Sequence, residues 1–407
     1  MPYAGAICHD RLNAMTDRPA SPAPHTAEDY RRCFEAALGV PFTQGNRIQS
    51  LVNGCRIFPA MIEAIEAAET SIDFLTFIYW QGDIAERFGA ALAARARAGV
   101  AVRVLLDAFG AHSMPQSVLD QLAQSGAEIA WFRPKARWRI WQIDNRTHRK
   151  ILIVDDRVGF TGGVGIASEW DGDARDPNEW RETHFRMTGP VLDGLRGAFL
   201  SNWIEAGQRG FEQHRSYAPQ PEAGDAATQV IRTSAAVNYS DIATLFRLVL
   251  TIARSRVRIA TGYFVPDADT IALMCAAAER GVVVEVLMPG PHTDSRVATM
   301  AGEDTFATLL AAGVRLYRFQ PTMLHTKIVL LDDVLVVVGS ANFNHRSMGK
   351  DDEIAVAVVD DALVHELSDN YDHDLTRAER VDAQAWSRRG PWQRLRELVG
   401  RVLSPQA

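Results

Sequence analysis

Cysteine is scarce in this chain and shows no pattern. Cys8, Cys33, Cys55 and Cys275 are scattered over 407 residues without a CxxC or Cys/His spacing. That excludes a disulfide framework and a cysteine-based zinc site, and it fits a reducing cytosol. No run approaches the roughly 18 apolar residues needed to cross a bilayer, and the N-terminus lacks the charged-then-apolar pattern of a secretion signal. The expectation is a cytoplasmic protein that at most sits peripherally on the membrane. Positive charge is not in surplus either. A formal net charge of -7 argues against a chain that coats nucleic acid, so an anionic partner has to be met by a local patch.

What the chain does have is enough apolar residue, 47%, for two well-buried cores without covalent staples. The Pro- and Ala-rich start reads as a disordered leader over 1–28. A soft stretch at 217–229 has a linker's composition. Between them lies a first α/β domain, 29–216; a second, 230–380, follows, and then a tail, 381–407, with a basic amphipathic helix. The two domains repeat one another in order. Helical Met61–Ala68 leads into the apolar run 72–79, and helical Ile84–Ala98 ends at Gly99 before the β-branched run 100–106. In the second domain Ile242–Ala253 leads to 257–264, and Ile271–Arg280 is broken by Gly281 before 282–288. Helices that stop at glycine and give way to β-branched runs read as α/β units. Two fused α/β domains related by approximate two-fold symmetry are expected, with the site in the cleft between them.

The residues that carry chemistry are His148-Arg149-Lys150-Ile151-Leu152-Ile153-Val154-Asp155 and His325-Thr326-Lys327-Ile328-Val329-Leu330-Leu331-Asp332. Both read HxKxxxxD, and in each six residues separate the aspartate from a small pair, Gly162-Gly163 or Gly339-Ser340. On a predicted strand the His and Lys share one face, while Arg149 or Thr326 points to the other. Asp155 and Asp332 face elsewhere and are taken as structural support for the motif. The small pairs are expected to let backbone and a hydroxyl come close to a bound anion. Two lysines can neutralise phosphate oxygens without a metal. Of two histidines, one can attack phosphorus while the other protonates the departing oxygen. His112, His214, His292 and His373 are expected on surfaces or loops, and the acidic run 171–176 in a solvated loop rather than at a metal.

With these motifs, and with Trp180-Arg181-Glu182-Thr183-His184 and Gly339-Ser340-Ala341-Asn342-Phe343-Asn344-His345-Arg346-Ser347, the sequence from about Asn46 to Asp374 resembles the phospholipase D superfamily, closest to bacterial cardiolipin synthases. The resemblance implies two α/β/α sandwich domains, no cofactor and a complete active site in one chain. It implies His148 or His325 as nucleophile, with His148 favoured, and a carboxylate behind each histidine, where Glu182 and Glu353 stand. It also implies phosphate contacts from Gly163, Ser340 and Asn342. One position departs from the family pattern: Gly165 stands where an asparagine matching Asn342 is usual, so one amide contact is lost unless Thr161, Ser168 or water replaces it. Phosphatidyl transfer that makes cardiolipin from phosphatidylglycerol is the leading expectation. Hydrolysis to phosphatidic acid and a metal-independent nuclease are the alternatives. The aromatic-basic segment 131–141 and the basic segment 392–403 suit an anionic membrane surface, although such a loop can also grip single-stranded nucleic acid.

Overall fold

The computed structural model describes residues 26–134, 145–209, 219–234 and 240–388. Most of the leader, most of the aromatic-basic segment, part of the linker and the basic C-terminal helix lie outside these. The described strands of the first half are β1 (Thr43–Val52), β2 (Ser71–Thr76), β3 (Ala101–Asp107), β4 (Glu128–Phe132), β5 (Ile151–Val154), β6 (Val158–Gly162) and β7 (Thr183–Thr188). Those of the second are β8 (Ala226–Arg232), β9 (Arg256–Ala260), β10 (Val283–Pro289), β11 (Arg315–Phe319), β12 (Ile328–Leu331), β13 (Leu335–Gly339), β14 (Ile354–Val359) and β15 (Ala378–Arg380).

All of them form one continuous sheet. Its order is β4-β3-β2-β5-β6-β7-β1 across the first half and β8-β14-β13-β12-β9-β10-β11-β15 across the second. Each half therefore repeats the same strand order outward from a seam where β1 meets β8 antiparallel. Strands β2, β3 and β4 run parallel, as do β9, β10 and β11. This matches the helix–glycine–strand units seen in the sequence. One sheet face carries each half's own helices, among them Gly54–Glu66 and Asp83–Arg97 in the first and Asp241–Ile252 and Ala268–Glu279 in the second. The other face is covered by helices Val191–Glu205 and Asp361–Thr376, whose Leu195, Phe199, Leu367 and Tyr371 join a core shared by both halves.

Two details differ from the sequence reading. Helix Ala27–Leu38, which the boundary at 29 placed in the first half, packs on the second: Tyr30 and Phe34 join the cluster of Ile242 and Phe246. The reason is topological, since this helix leads into β1, which lies at the seam beside β8. The motif strands also start later than expected, at Ile151 and Ile328 rather than at the histidines. The lead-in segments pair across the seam instead, Thr147 with Asp352 and Leu324 with Arg181.

Candidate active site

The crossed pairing of these lead-in segments builds the site. His148 N–H donates to Asp352 O (2.9 Å), which places His148 beside Glu353; His325 N–H donates to Arg181 O (2.8 Å), which places His325 beside Glu182. Each histidine thus takes its carboxylate from the other half. His148 Nδ1 lies 3.0 Å from Glu353 Oε1, and His325 Nδ1 lies 2.7 Å from Glu182 Oε2. Arg149 points away, as alternation requires, and its buried guanidinium donates to Ala198 O, Ser201 Oγ, Asn202 Oδ1 and Thr233 O. Those bonds clamp the segment carrying His148 to both halves.

A cavity of about 500 Å³ opens over the histidines, with His148, Lys150, His325 and Asn342 in its wall. Lys327, Glu182 and Glu353 stand behind that wall, fully buried or nearly so. Lys150 Nζ donates to the carbonyl of His148 (2.7 Å), and Lys327 Nζ donates to that of His325. Burial pulls Lys150 down to about 7, aided by Lys327 and opposed by Glu353. It pulls Lys327 down to about 8 against the pull of Glu182 and Glu353.

The two His–Glu couples are not equivalent. Burial alone would raise Glu353, but His148, Lys150 and the hydroxyl of Ser340 outweigh it and hold the carboxyl at about 2. Ser347 Oγ also donates to it, at 2.5 Å. Among its described partners, Nδ1 of His148 meets only this carboxylate, so it is the donor and leaves Nε2 with a free lone pair. On the other side Gly163 replaces Ser340, and burial pushes Glu182 up. Lys327 Nζ at 3.0 Å and Trp170 Nε1 at 3.4 Å share Nδ1 of His325 with Glu182 Oε2 at 2.7 Å. Burial, then Lys327 and Lys150, press His325 well below the ordinary imidazole range, and burial lowers His148 as well.

The remaining expected residues fall in several places. Asn342 reaches the cavity with its Oδ1 buried and unpartnered. Ser340 and Gly163, expected at the phosphate, instead serve the carboxylates: Ser340 Oγ donates to Glu353, and a Cβ at Gly163 would lie 2.3 Å from Glu182 Oε2. Asp155 and Asp332 stand at the far ends of their strands. Asp155 accepts from the N–H groups of Glu69, Thr70 and Ser71. Asp332 accepts from those of Arg254, Ser255 and Arg256, and from Tyr30 Oη. Thr161 and Ser168 do not replace the missing amide, because Thr161 Oγ1 donates to Lys150 O and Ser168 donates to Glu169. His112 is exposed as expected, yet it lines the cavity.

The sequence reading missed the aromatic part of the wall. Trp170, Trp180 and Tyr263 stand 5.2, 5.4 and 6.2 Å from the His325 ring, and Phe77 stands 5.2 Å from the His148 ring. Trp180 was in view beside Glu182, but nothing local marked the other three. Among the described residues no group of three or more His, Cys, Asp or Glu is placed to hold a metal ion.

Residues 61–169 and 248–375 match the family described as "Cardiolipin synthase, PLD-like domain". The chain belongs to that family. It is a phospholipase D superfamily enzyme of the cardiolipin synthase type, a phosphatidyltransferase. It is 30% identical over 376 residues to cardiolipin synthase 1 of Bacillus cereus, covering 90% of this chain and 74% of that protein. It is 31% identical over 369 residues to cardiolipin synthase A of Pseudomonas fluorescens SBW25, covering 90% and 76%. Among solved structures, the phosphatidylserine synthase of Haemophilus influenzae shares the fold, with a TM-score of 0.67 at 15% identity over 92% of this chain and 96% of that one. Among the described residues no helix is long and apolar enough to cross a membrane.

Proposed function

We propose that this enzyme makes cardiolipin from two molecules of phosphatidylglycerol through a covalent phosphohistidine. The observation that carries this reading is the pair of crossed His–Glu couples facing one cavity. His148 Nε2 attacks phosphorus, and its bond forms as the bond to the glycerol oxygen breaks. That oxygen takes a proton from Nε2 of His325, whose Nδ1 faces Glu182. Next, the free hydroxyl of a second phosphatidylglycerol attacks phosphorus. His325 takes its proton, the P–N bond breaks, and His148 is released. Lys150 and Asn342, which line the cavity, would bind the non-bridging oxygens, and Lys327 would add charge from behind. The cardiolipin synthases to which the chain is similar support the choice of product.

The enzyme is expected to work on an anionic membrane surface. Phe109 and Val297 are 47% and 41% exposed; Phe109 lines the cavity after β3, and Val297 stands on helix Arg296–Glu303 after the corresponding strand β10, between the lining residues Ser295 and Ala298.

The test is incubation of the enzyme with phosphatidylglycerol vesicles and analysis of products by mass spectrometry. Cardiolipin with released glycerol is the expected result. Phosphatidic acid alone would make the enzyme a hydrolase. No product would overturn the reading and direct the search to other phospholipids and then nucleic acid.

A further inference from the structure

The two halves can be superposed residue by residue beside the histidines. Thr76 Oγ1 donates to Ile78 O and Thr261 Oγ1 to Tyr263 O, both at 2.9 Å. Trp80 N–H donates to Ile166 O and Val265 N–H to Phe343 O. In this register Phe77 corresponds to Gly262, and Gly165 corresponds to Asn342.

The exchange is reciprocal. A Cβ at Gly262 would lie 3.2 Å from His325 Cδ2 and 3.3 Å from both Asn342 Oδ1 and Lys327 Nζ. The glycine therefore leaves room for the amide, and a ring there would take the amide's place. In the first half the ring is present and the amide is gone. Phe77 packs edge-on against His148, with centroids 5.2 Å apart, and Lys150 Nζ stands 5.4 Å from its centroid. A Cβ at Gly165 would meet Ile78 Cβ at 2.8 Å and Trp170 Cζ3 at 3.0 Å, so no asparagine fits there.

We infer that Phe77 favours transfer over hydrolysis by keeping water from the phosphohistidine at His148. This rests on the reading of His148 as nucleophile. An amide beside the P–N bond would hold an attacking water by hydrogen bonds; an aromatic edge gives water no partner there. The intermediate has two fates. If a lipid or other alcohol attacks phosphorus, its proton goes to His325, the P–N bond breaks and a new phosphodiester forms. If water attacks, the same proton transfer and bond cleavage release phosphatidic acid. Phe77 touches the reacting histidine rather than either acceptor, so it acts on this choice by occupying space.

The experiment measures product partition. Wild type, Phe77→Leu and Phe77→Ala are incubated with phosphatidylglycerol vesicles containing a fixed concentration of ethanol. Phosphatidic acid is then compared with cardiolipin plus phosphatidylethanol. The ratio does not depend on how much active enzyme survives, so a merely structural loss would not move it. The phosphatidic acid share is expected to rise about twofold in Phe77→Leu and about fivefold or more in Phe77→Ala. If Phe77→Ala does not turn over, Phe77→Leu decides. An unchanged ratio in the variants that turn over would overturn the role of Phe77 and leave the transfer mechanism standing. A wild-type enzyme that forms none of these products would overturn both.

Discussion

Glu353 reaches Nδ1 of His148 from 205 residues further along the chain and from the other half of the molecule. It arrives already bonded to Ser340 and Ser347, whereas Glu182, behind His325, has Gly163 where Ser340 would be. The two carboxylates therefore sit in different surroundings: the hydroxyls, with His148 and Lys150, hold Glu353 low, whereas burial pushes Glu182 up, and on the proposed mechanism Glu353 backs the nucleophile and Glu182 the acid.

An activated substrate separates these roles. A phosphodiester with a p-nitrophenyl leaving group needs no protonation of that group, so the first step can proceed without an acid. His325→Ala is expected to release a single burst of p-nitrophenol, and His148→Ala none. On phosphatidylglycerol both variants should be inactive. Glu353→Gln should lower turnover by roughly 10²–10⁴, as loss of a histidine's orienting carboxylate does elsewhere. A burst from His148→Ala would reverse the assignment of nucleophile and acid.

Affinity for anions should fall as pH rises. Burial holds Lys150 at about 7 and Lys327 at about 8, so both lose charge across pH 7–9. Binding of inorganic phosphate is expected to weaken over that range and to take up protons, read by calorimetry in buffers of different ionisation enthalpy. The sign for stability is opposite. The unfolded lysines bind more protons than the folded ones between pH 7 and about 10.4, so these two groups make the ligand-free fold more stable as pH rises through that window. Proton-neutral phosphate binding at pH 8 would contradict the lowered lysines.

Much of this architecture was legible because each half writes its helix–glycine–strand units in plain hydrophobic pattern. The second writing confirms the first. What was not legible depends on distance along the chain. Glu182 and Glu353 were expected behind the histidines, but which serves which was not: Glu353 meets His148, and Glu182 meets His325 143 residues away, through a backbone bridge that no local pattern encodes. The turn at the end of each motif is another case. Asp155-Asp156 and Asp332-Asp333 have positive φ throughout, between 52° and 55°, and form two-residue hairpins closed by Arg157 N–H to Val154 O and Val334 N–H to Leu331 O. Acidic pairs are less usual there than Asn-Gly, so the turn was not anticipated, although Asp155 and Asp332 were expected as structural support. The exchange of Phe77 for an amide needs the register of both halves at once, and only its other member, Gly165, stood out along the chain.

The motif aspartates make a prediction about stability. Asp332 gathers three backbone N–H groups and the hydroxyls of Ser255 and Tyr30. Burial would raise its carboxyl, but these donors outweigh burial and lower it. Asp332→Asn keeps the left-handed turn and removes the charge, so it should cost about 2 kcal/mol in urea denaturation. Its contribution in the wild type is present above the unfolded carboxyl's pKa and is lost as pH falls through the lower folded value. Equal stability of Asp332→Asn and wild type at pH 7 would show that the charge is not needed.

The last prediction concerns the rim. Phe109 and Val297 are two of the three exposed large hydrophobic residues among those described, and they lie on opposite halves beside one cavity. Arg146, buried beside Asp107, stands 5.6 Å from the Phe109 ring and supports it from behind. If this rim meets the membrane, burying both side chains in lipid should supply about 2 kcal/mol, equivalent to roughly 30-fold in binding. The double variant Phe109→Ser, Val297→Ser should float with anionic vesicles correspondingly less than wild type. Ile204, 45% exposed on helix Val191–Glu205, has no neighbour in sequence that lines the cavity, unlike Val297 between Ser295 and Ala298, and Ile204→Ser should float as wild type does. Equal flotation of the double variant and wild type would place the membrane contact elsewhere on the molecule.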